Sequence, residues 1–258
     1  MNQQLKACLA ALVTAAALAA CATSPLGRSQ LMLVSAGQMD QMGVASFNDM
    51  KKKLPVTRDA GTSAYVGCVA RAITAQLNDG RAWEVQVFQD DQVNAFALPG
   101  AKIGVYTGLL KVATTQDQLA AVLGHEVSHV LANHGAERVS EQMLAQGVSQ
   151  VAGAAAGVDP QVFGIAGNVF FLLPHSRAQE SEADMLGMDL MSRAGFDPRA
   201  AITLWQNMMR AGGQKPAEML STHPSDETRI AQLQARLPQD LPIYQQAQAQ
   251  GRRPHCAP

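Results

Sequence analysis

Two histidines and a glutamate form the part of this sequence that could do chemistry. Residues 125–129 read His-Glu-Val-Ser-His. Positions four apart lie on one face of an α-helix, so His125 and His129 can bind a single metal ion. Glu126 is then beside the open position of the metal, where its carboxylate can take a proton from a bound water. The motif alone is short, and two histidines on a helix are often only a polar face.

The residues around this motif predict the helix that it needs. Apolar residues recur at helical spacing over 119–131. Thr115 followed by Gln118 is a capping-box pattern, so the helix should begin near Gln116. Because no strong break follows the motif, we expect this helix to continue to about Gln146.

An acidic pair further along the chain offers a third metal ligand. Ser176 and Gln179 predict another capped helix, which places Glu180 and Asp184 on one face. Like charges at that spacing repel by about a few tenths of a kcal/mol unless something offsets them. A metal ion would offset the repulsion, with Glu180 as ligand and Asp184 behind it. The alternative is a solvated acidic face, which is the interpretation for Glu182.

Three short strands are predicted ahead of the motif helix, over residues 83–89, 93–98 and 102–107. Polar and apolar residues alternate in the first, and turn residues at 90–91 and 99–100 separate the three. With the predicted helices, they indicate a mainly α protein with a small antiparallel β-sheet (α+β). An edge strand beside a metal can hold an extended peptide by main-chain hydrogen bonds, and Asn94 lies where such an edge could be. An asparagine that satisfies backbone groups near a turn is the alternative.

Composition and the N-terminus bear on partners and location. The net charge of −1 gives no basic footprint for nucleic acid. Residues 1–20 combine Lys6 with an apolar run too short to span a bilayer, which predicts a signal peptide. Small residues before Cys21 resemble a bacterial lipoprotein box, and Ala22 resembles sorting to the outer membrane of a Gram-negative host. An ordinary signal peptide with an incidental cysteine is the alternative.

The remaining segments leave alternatives open. Residues 21–34 are predicted to be a tether, and residues 238–258 a poorly ordered tail unless Cys256 anchors it. Cys68 and Cys256 can pair in an oxidising compartment, or remain free thiols. Residues 143–174 have one charged residue and predict two helices joined at Asp159-Pro160, either as a cover over the active-site cleft or as a plain core hairpin.

Four motifs in order resemble one known family, over residues 35–236. They are Asn94-Ala95-Phe96 with Pro99-Gly100, the 125–129 motif, Ser176-Arg177-x-x-Glu180-x-x-Ala183-Asp184, and His223-Pro224 followed by Arg229. Together they resemble the zinc metallopeptidases that include the CAAX prenyl protease and HtpX. The resemblance is nearest to the soluble lipoprotein branch of the bacterial periplasm, the LoiP-like proteins.

The resemblance implies a zincin-like site with one Zn²⁺ per chain. It implies that three residues bind the zinc: His125, His129 and Glu180. It also implies that Glu126 is the general base, and that His223 lies near the oxyanion of the tetrahedral intermediate.

Other implied roles concern support and substrate. By the resemblance, Asp184 lies behind the ligands and can pair with Arg229, while Asn94 and Ala95 lie on the substrate-binding edge strand. His175 stands where similar proteins often carry tyrosine, so no role is assigned to it. His134 is expected at the surface or at a helix end.

The function that follows is a zinc-dependent endopeptidase with its catalytic domain at residues 35–237. By the resemblance, its substrates are damaged or misassembled envelope proteins, and it lies in the periplasm, lipid-anchored through Cys21 to the inner leaflet of the outer membrane. One rival is a chaperone or assembly factor for outer-membrane proteins that cleaves rarely, against which the intact Glu126 argues. Another is a latent protease gated by residues 143–174. The sequence sets neither oligomeric state nor cleavage specificity.

Overall fold

The computed structural model describes residues 21–147, 158–211, 218–223 and 227–257. This part of the chain is mainly helical, as predicted, and has two small sheets. The helices are α1 (Ala36–Lys53), α2 (Ala60–Thr74), α3 (Gln116–Leu131), α4 (His134–Ala145), α5 (Pro160–Phe171), α6 (Arg177–Ala194), α7 (Arg199–Ala211), α8 (Glu218–Thr222) and α9 (Glu227–Ala249). The strands are β1 (Cys21–Thr23), β2 (Ser29–Leu31), β3 (Glu84–Phe88), β4 (Ala95–Leu98) and β5 (Lys102–Tyr106), and a 3₁₀ helix spans Thr107–Lys111.

Two sequence predictions concern membranes and export. In the described ranges, no helix is both long enough and apolar enough to cross a bilayer. The predicted signal peptide, residues 1–20, lies outside the described residues.

Helix starts follow the capping patterns. Helices α1 and α6 begin with complete capping boxes at Ser35 and Ser176. The side chain of Thr115 accepts a hydrogen bond from the backbone of Gln118, so α3 begins at Gln116 as predicted. Each such cap satisfies backbone N–H groups that have no partner within the helix, which is worth about 1 kcal/mol.

Helix α3 ends earlier than predicted, at Leu131 instead of near Gln146. Asn133, between α3 and α4, has a left-handed backbone with φ of 54°. Asparagine adopts this conformation more readily than most residues with a Cβ. The break allows His134, which is fully buried, to lie against the end of α3 instead of projecting into solvent.

The sheet before α3 is mixed, whereas an antiparallel sheet was predicted. Strand β5 is central; β4 pairs with it antiparallel and β3 pairs with it parallel. The reason lies in the link after β3, which is not a tight turn. Thr107, at the end of β5, is joined to Asp90 by two hydrogen bonds, so the chain crosses the end of β5 before it enters β4. Strand β4 is therefore an edge strand beside α3.

The main core surrounds α3, which packs against α2, α6, α7 and β4. Helices α3 and α6 make their closest approach at two glycines. A Cβ atom added to Gly187 would lie 2.8 Å from the backbone nitrogen of His125, and one added to Gly124 would lie 2.9 Å from the carbonyl oxygen of Gly187. This approach brings the motif helix beside the acidic pair on α6.

The predicted tether is instead a structured hairpin. Strands β1 and β2 pair antiparallel, and Arg28 between them forms ion pairs with Glu137 on α4 and Glu182 on α6. Gln30 is buried and donates to the carbonyl of Ala132 at 2.7 Å. These partners lie more than 100 residues away in sequence, so local composition could not predict them.

The C-terminal segment, predicted to be poorly ordered unless Cys256 anchored it, is structured and is anchored in this way. Helix α9 continues through Pro238 and Pro242 to Ala249 and packs on α6 and α7. Each proline removes one helical hydrogen bond, but its fixed φ suits a helix, and here the tertiary packing outweighs the loss. A disulfide joins Cys68 to Cys256, which confirms the pairing that the cysteine count allowed.

The segment 143–174 is described only in part, since residues 148–157 lie outside the described ranges. Helix α5 begins at Pro160 with Asp159 as its N-cap. Its inner face packs against α1 and α4 as a core hairpin would, while Phe170 and Phe171 at its end border the cleft beside α3. Gating by this segment stays a prediction.

Candidate active site

Three side chains from α3 and α6 converge as the sequence predicted. His125 Nε2 lies 3.0 Å from His129 Nε2, and the carboxylate oxygens of Glu180 lie 3.5 Å and 3.4 Å from these two nitrogens respectively. All three residues are buried. Helical spacing brings the histidines together, and the close contact of α3 with α6 brings the glutamate to them.

The charges of this cluster depend on one another. Burial alone would raise the pKa of Glu180, but His223 and His125 lower it far below its usual range, so the carboxylate is ionised. Burial lowers the pKa of His125, yet Glu180 and Asp184 outweigh it and raise the pKa to about 9. For His129, burial dominates and lowers the pKa. The ionised carboxylate of Glu180 therefore favours a positive charge among the nitrogens of the cluster, carried either by a proton on His125 or by a metal ion.

Asp184 and Arg229 support His125 from behind. Asp184 Oδ1 lies 2.9 Å from His125 Nδ1 and accepts a hydrogen bond from Arg229 Nη2 at 2.8 Å. The guanidinium of Arg229 also stacks on Trp205, 3.7 Å from the ring centroid. A carboxylate on the far nitrogen of a histidine fixes its tautomer and leaves Nε2 free to bind a metal.

Glu126 lies beside the cluster without being part of it. Its carboxylate is 3% exposed, and Oε1 has no hydrogen-bond partner among the described residues. Burial raises the pKa of this carboxyl, against a backbone hydrogen bond from Ala97 on β4 and the nearby histidines, which lower it. A carboxylate with a raised pKa is a stronger base, as proton transfer at neutral pH requires.

His223 is closer to the cluster than its predicted role requires. Its Nδ1 lies 2.9 Å from Glu180 Oε1 and 3.2 Å from His125 Nε2, while Nε2 lies 3.4 Å from Glu126 Oε1. It thus stands where a fourth ligand of the same ion could lie. The oxyanion role remains a prediction.

Sequence reasoning missed two residues of the site. His134 was expected at a surface or helix end and Glu182 on a solvated face, yet both are buried. His134 Nδ1 lies 2.8 Å from His129 Nδ1, and its Nε2 lies 3.2 Å from Glu182 Oε2. Glu182 in turn pairs with Arg28 of the N-terminal hairpin. The sequence signal for this contact was a third histidine, five residues after His129. Only the helix break at Asn133 makes the contact possible.

His175, to which no role was assigned, also lies at the site. Its ring centroid is 3.9 Å from that of His129 and its ring stacks on His223. Its backbone N–H donates to the carbonyl of Thr222 at 2.9 Å. His175 therefore packs between two residues of the site, and nothing in its sequence context indicated this.

A cleft of about 230 Å³ opens beside Glu126 and His129. One wall is formed by strand β4, which begins at the predicted substrate residue Ala95, together with Asn94 just before it; the end of α5 forms another wall. The backbone N–H of Tyr106 donates to the carbonyl of Asn94. In an antiparallel pair these contacts alternate, so the backbone groups of Ala95 point away from β5, towards the free edge.

The sequence profile of peptidase family M48 matches residues 58–237. The chain belongs to this family of metal-dependent peptidases. It is 41% identical over 182 residues to mitochondrial metalloendopeptidase OMA1 of Schizosaccharomyces pombe. The aligned region is 69% of this chain and 54% of that protein. The OMA1 of Arabidopsis thaliana is 39% identical over 182 residues, or 70% of this chain and 37% of that protein.

A bacterial relative matches more of the chain. The β-barrel assembly-enhancing protease of Escherichia coli is 27% identical over 235 residues, or 86% of this chain and 48% of that protein. The chain thus spans about half the length, or less, of these relatives.

The comparisons correct the predicted location. Three relatives at 35 to 41% identity are named mitochondrial, which contradicts a bacterial periplasmic lipoprotein at the outer membrane. The family is confirmed, whereas the finer lipoprotein branch is not supported. The prediction failed because it assumed a Gram-negative host, and a short apolar run before Cys21 does not identify the host.

The ligand set fits a metal by its geometry. Four ligands about 2.0–2.1 Å from a tetrahedral ion lie roughly 3.3–3.4 Å from one another. The distances among His125, His129 and Glu180 are 3.0 to 3.5 Å, measured to Glu180 Oε2 from His125 and to Oε1 from His129, which is close to these values. Buried nitrogen and oxygen ligands of this kind are typical of zinc.

Proposed function

We propose that the protein is a zinc-dependent endopeptidase that cleaves extended segments of damaged or misassembled proteins. The observation that carries the proposal is the spacing of His125, His129 and Glu180, which is close to that of a tetrahedral site. Beside them lies Glu126 Oε1, which accepts no hydrogen bond among the described residues. Membership of a metallopeptidase family supports it. Zinc, at one ion per chain, is favoured by the two-histidine, one-glutamate donor set.

The residues of the chain divide the work of hydrolysis. Zinc, when bound, supplies Lewis acidity and lowers the pKa of a water molecule to about 7. Glu126 Oε1 accepts the proton and delivers it to the leaving amine, which its raised pKa favours. Asp184 and Arg229 hold the ring of His125 in place. His223 donates a hydrogen bond to the oxyanion once its ring leaves the ligand cluster.

Strand β4 supplies the substrate site of the proposal. A peptide can extend the sheet by pairing with its free edge, where the backbone groups of Ala95 point into the cleft. Asn94 Oδ1 accepts a hydrogen bond from the N–H of Ala95 at 2.9 Å. The side chain of Asn94 must therefore turn aside before a substrate can use that N–H. Unfolded segments suit this site because pairing requires an extended backbone.

Cleavage of unfolded casein by the zinc-loaded protein tests the proposal. The wild type should cleave it, and a chelator should stop cleavage. Glu126→Gln should lower turnover by roughly 100- to 10,000-fold, the range for a general base, while zinc stays bound. Zinc-loaded wild type that leaves casein and other unfolded proteins intact would refute the endopeptidase.

A chaperone or assembly factor with little proteolysis is the second candidate. One observation favours it: His223 stands among the ligand atoms, where a substrate carbonyl or water would have to bind. The name of the Escherichia coli relative joins assembly to proteolysis in that protein. This candidate would be supported if the Glu126→Gln variant prevented aggregation of unfolded proteins to the same extent as the wild type. That the substrates are envelope proteins stays a prediction.

A further inference from the structure

Arg138 forms a buried cationic part of the cleft wall. Its side chain belongs to α4, is 7% exposed and borders the same cavity as Glu126 and His129. Nη1 lies 3.1 Å from His175 Nε2, and Nη2 donates to the carbonyl oxygen of Leu173. Neither partner is charged negatively. The guanidinium is thus positioned by neutral groups, of which His175 borders the same cavity.

Arg138 differs from Arg229, the other buried arginine of the described structure, in having no carboxylate within ion-pair distance. Arg229 forms ion pairs with Asp184 and Glu180, and half-buried Arg28 forms them with two glutamates. Within the described ranges, no acidic side chain lies within 4 Å of the guanidinium of Arg138. Burial lowers the pKa of Arg138 to about 10, so the group remains a cation at neutral pH. Glu180 and Glu141 act from further away, raising the pKa of Arg138 and offsetting part of the effect of burial. A buried charge without a direct ion pair is destabilising.

His175 lies between Arg138 and the proposed metal ligands. It contacts Arg138 on one side and packs against the ring of His129 on the other. An anion on Arg138 would therefore lie in the cleft, one side chain away from the metal ligand. A polypeptide carries carboxylates, which match the planar fork of a guanidinium in bidentate hydrogen bonds.

We propose that Arg138 binds a carboxylate of the substrate and so selects which peptide bond reaches Glu126. The proposal rests on the proposed peptidase function. The carboxylate has two possible sources: the C-terminus of the substrate, or an Asp or Glu side chain near the scissile bond. Either would turn the buried cation into an ion pair when substrate binds.

Matched peptides distinguish the two sources. One pair has the same neutral sequence with a free or an amidated C-terminus, and a second, amidated pair has Glu or Gln near the cleavage site. Affinity is measured on the zinc-loaded Glu126→Gln chain, and kcat/KM on the chain with Glu126 intact. Binding tests the inference even if no peptide is cleaved, whereas cleavage tests the proposed function.

The expected result is a preference of roughly 10- to 100-fold for the carboxylate member of at least one pair, the range for hydrogen bonds to charged groups. Arg138→Gln should bring that ratio to about one, and Arg138→Lys should keep part of it because the charge remains without the fork. The ratio is taken within each variant, so a loss of total activity does not obscure it.

Arg81→Gln is the control. Arg81 also borders the cleft, but Asp79 already binds its guanidinium at 2.7 Å, so the preference should persist. Melting curves and zinc content show whether each variant folds. The inference is overturned if the wild-type and Glu126→Gln chains show no preference for the carboxylate peptide in either pair. This outcome does not depend on whether the arginine variants fold. A preference that survives in folded Arg138→Gln also overturns it.

Discussion

Replacing Gly187 with alanine should damage the metal site from outside it. The new Cβ would lie 2.8 Å from the nitrogen of His125 and 3.0 Å from its Cα. Ordinary contacts between such atoms are about 3.5–4.0 Å, so α3 and α6 would have to separate by roughly 0.5–1 Å. The obstructing atoms belong to the backbone, and no side-chain rotation can relieve the contact.

The magnitude follows from the cost of overpacking and from the tolerance of metal geometry. Overpacking a core costs about 1–3 kcal/mol, which in a domain of this size lowers Tm by roughly 2–12 °C. Two ligands lie on α3 and the third on α6, and a metal site tolerates errors of only about 0.2 Å. We therefore expect zinc affinity, measured by competition with a chromogenic chelator, to fall by about 10- to 100-fold.

Gly164→Ala is the matched control. Gly164 is an exposed glycine of α5, and a Cβ there would meet no atom within 4 Å. Alanine should leave zinc affinity unchanged and stabilise the helix by up to about 1 kcal/mol. If Gly187→Ala bound zinc as tightly as wild type and melted within about 1 °C of it, the close helix contact would not position the ligands as argued.

Two further substitutions test the surroundings of the site. Arg28→Met removes the partner of buried Glu137 and Glu182, and should lower stability by about 1–3 kcal/mol and weaken zinc binding through His134. Lys51→Met is the control: the Lys51 side chain is about as exposed as that of Arg28, but its partner Glu84 is much more exposed, and zinc binding should be unchanged. His223→Phe should lower kcat by roughly 100- to 1000-fold with KM and zinc content little changed. A rise in kcat would mean that the ring only blocks the fourth position.

The parts of the site that the sequence predicted depend on local rules or on family motifs. Helical spacing alone places His125 and His129 on one face, and capping patterns fix where α3 and α6 begin. The pairing of Asp184 with Arg229 came only from the family resemblance, because 45 residues separate the two.

The parts that escaped prediction depend on long-range contacts. Glu182 looked like a solvent-facing residue because its partners His134 and Arg28 lie 48 and 154 residues away. The parallel pairing of β3 with β5 depends on how the Asp90 link crosses the sheet, which strand propensity does not encode. The continuation of α9 past two prolines likewise depends on tertiary packing and the disulfide.

Zinc stoichiometry of the Glu180→Ala chain tests the central claim most directly. Native mass spectrometry of the purified wild type should show one zinc per chain, held by His125, His129 and Glu180. Glu180→Ala leaves two of these ligands and should lose most of its zinc, while Glu182→Ala, two positions along α6, should keep more of it. Full zinc retention by folded Glu180→Ala would contradict the proposed site.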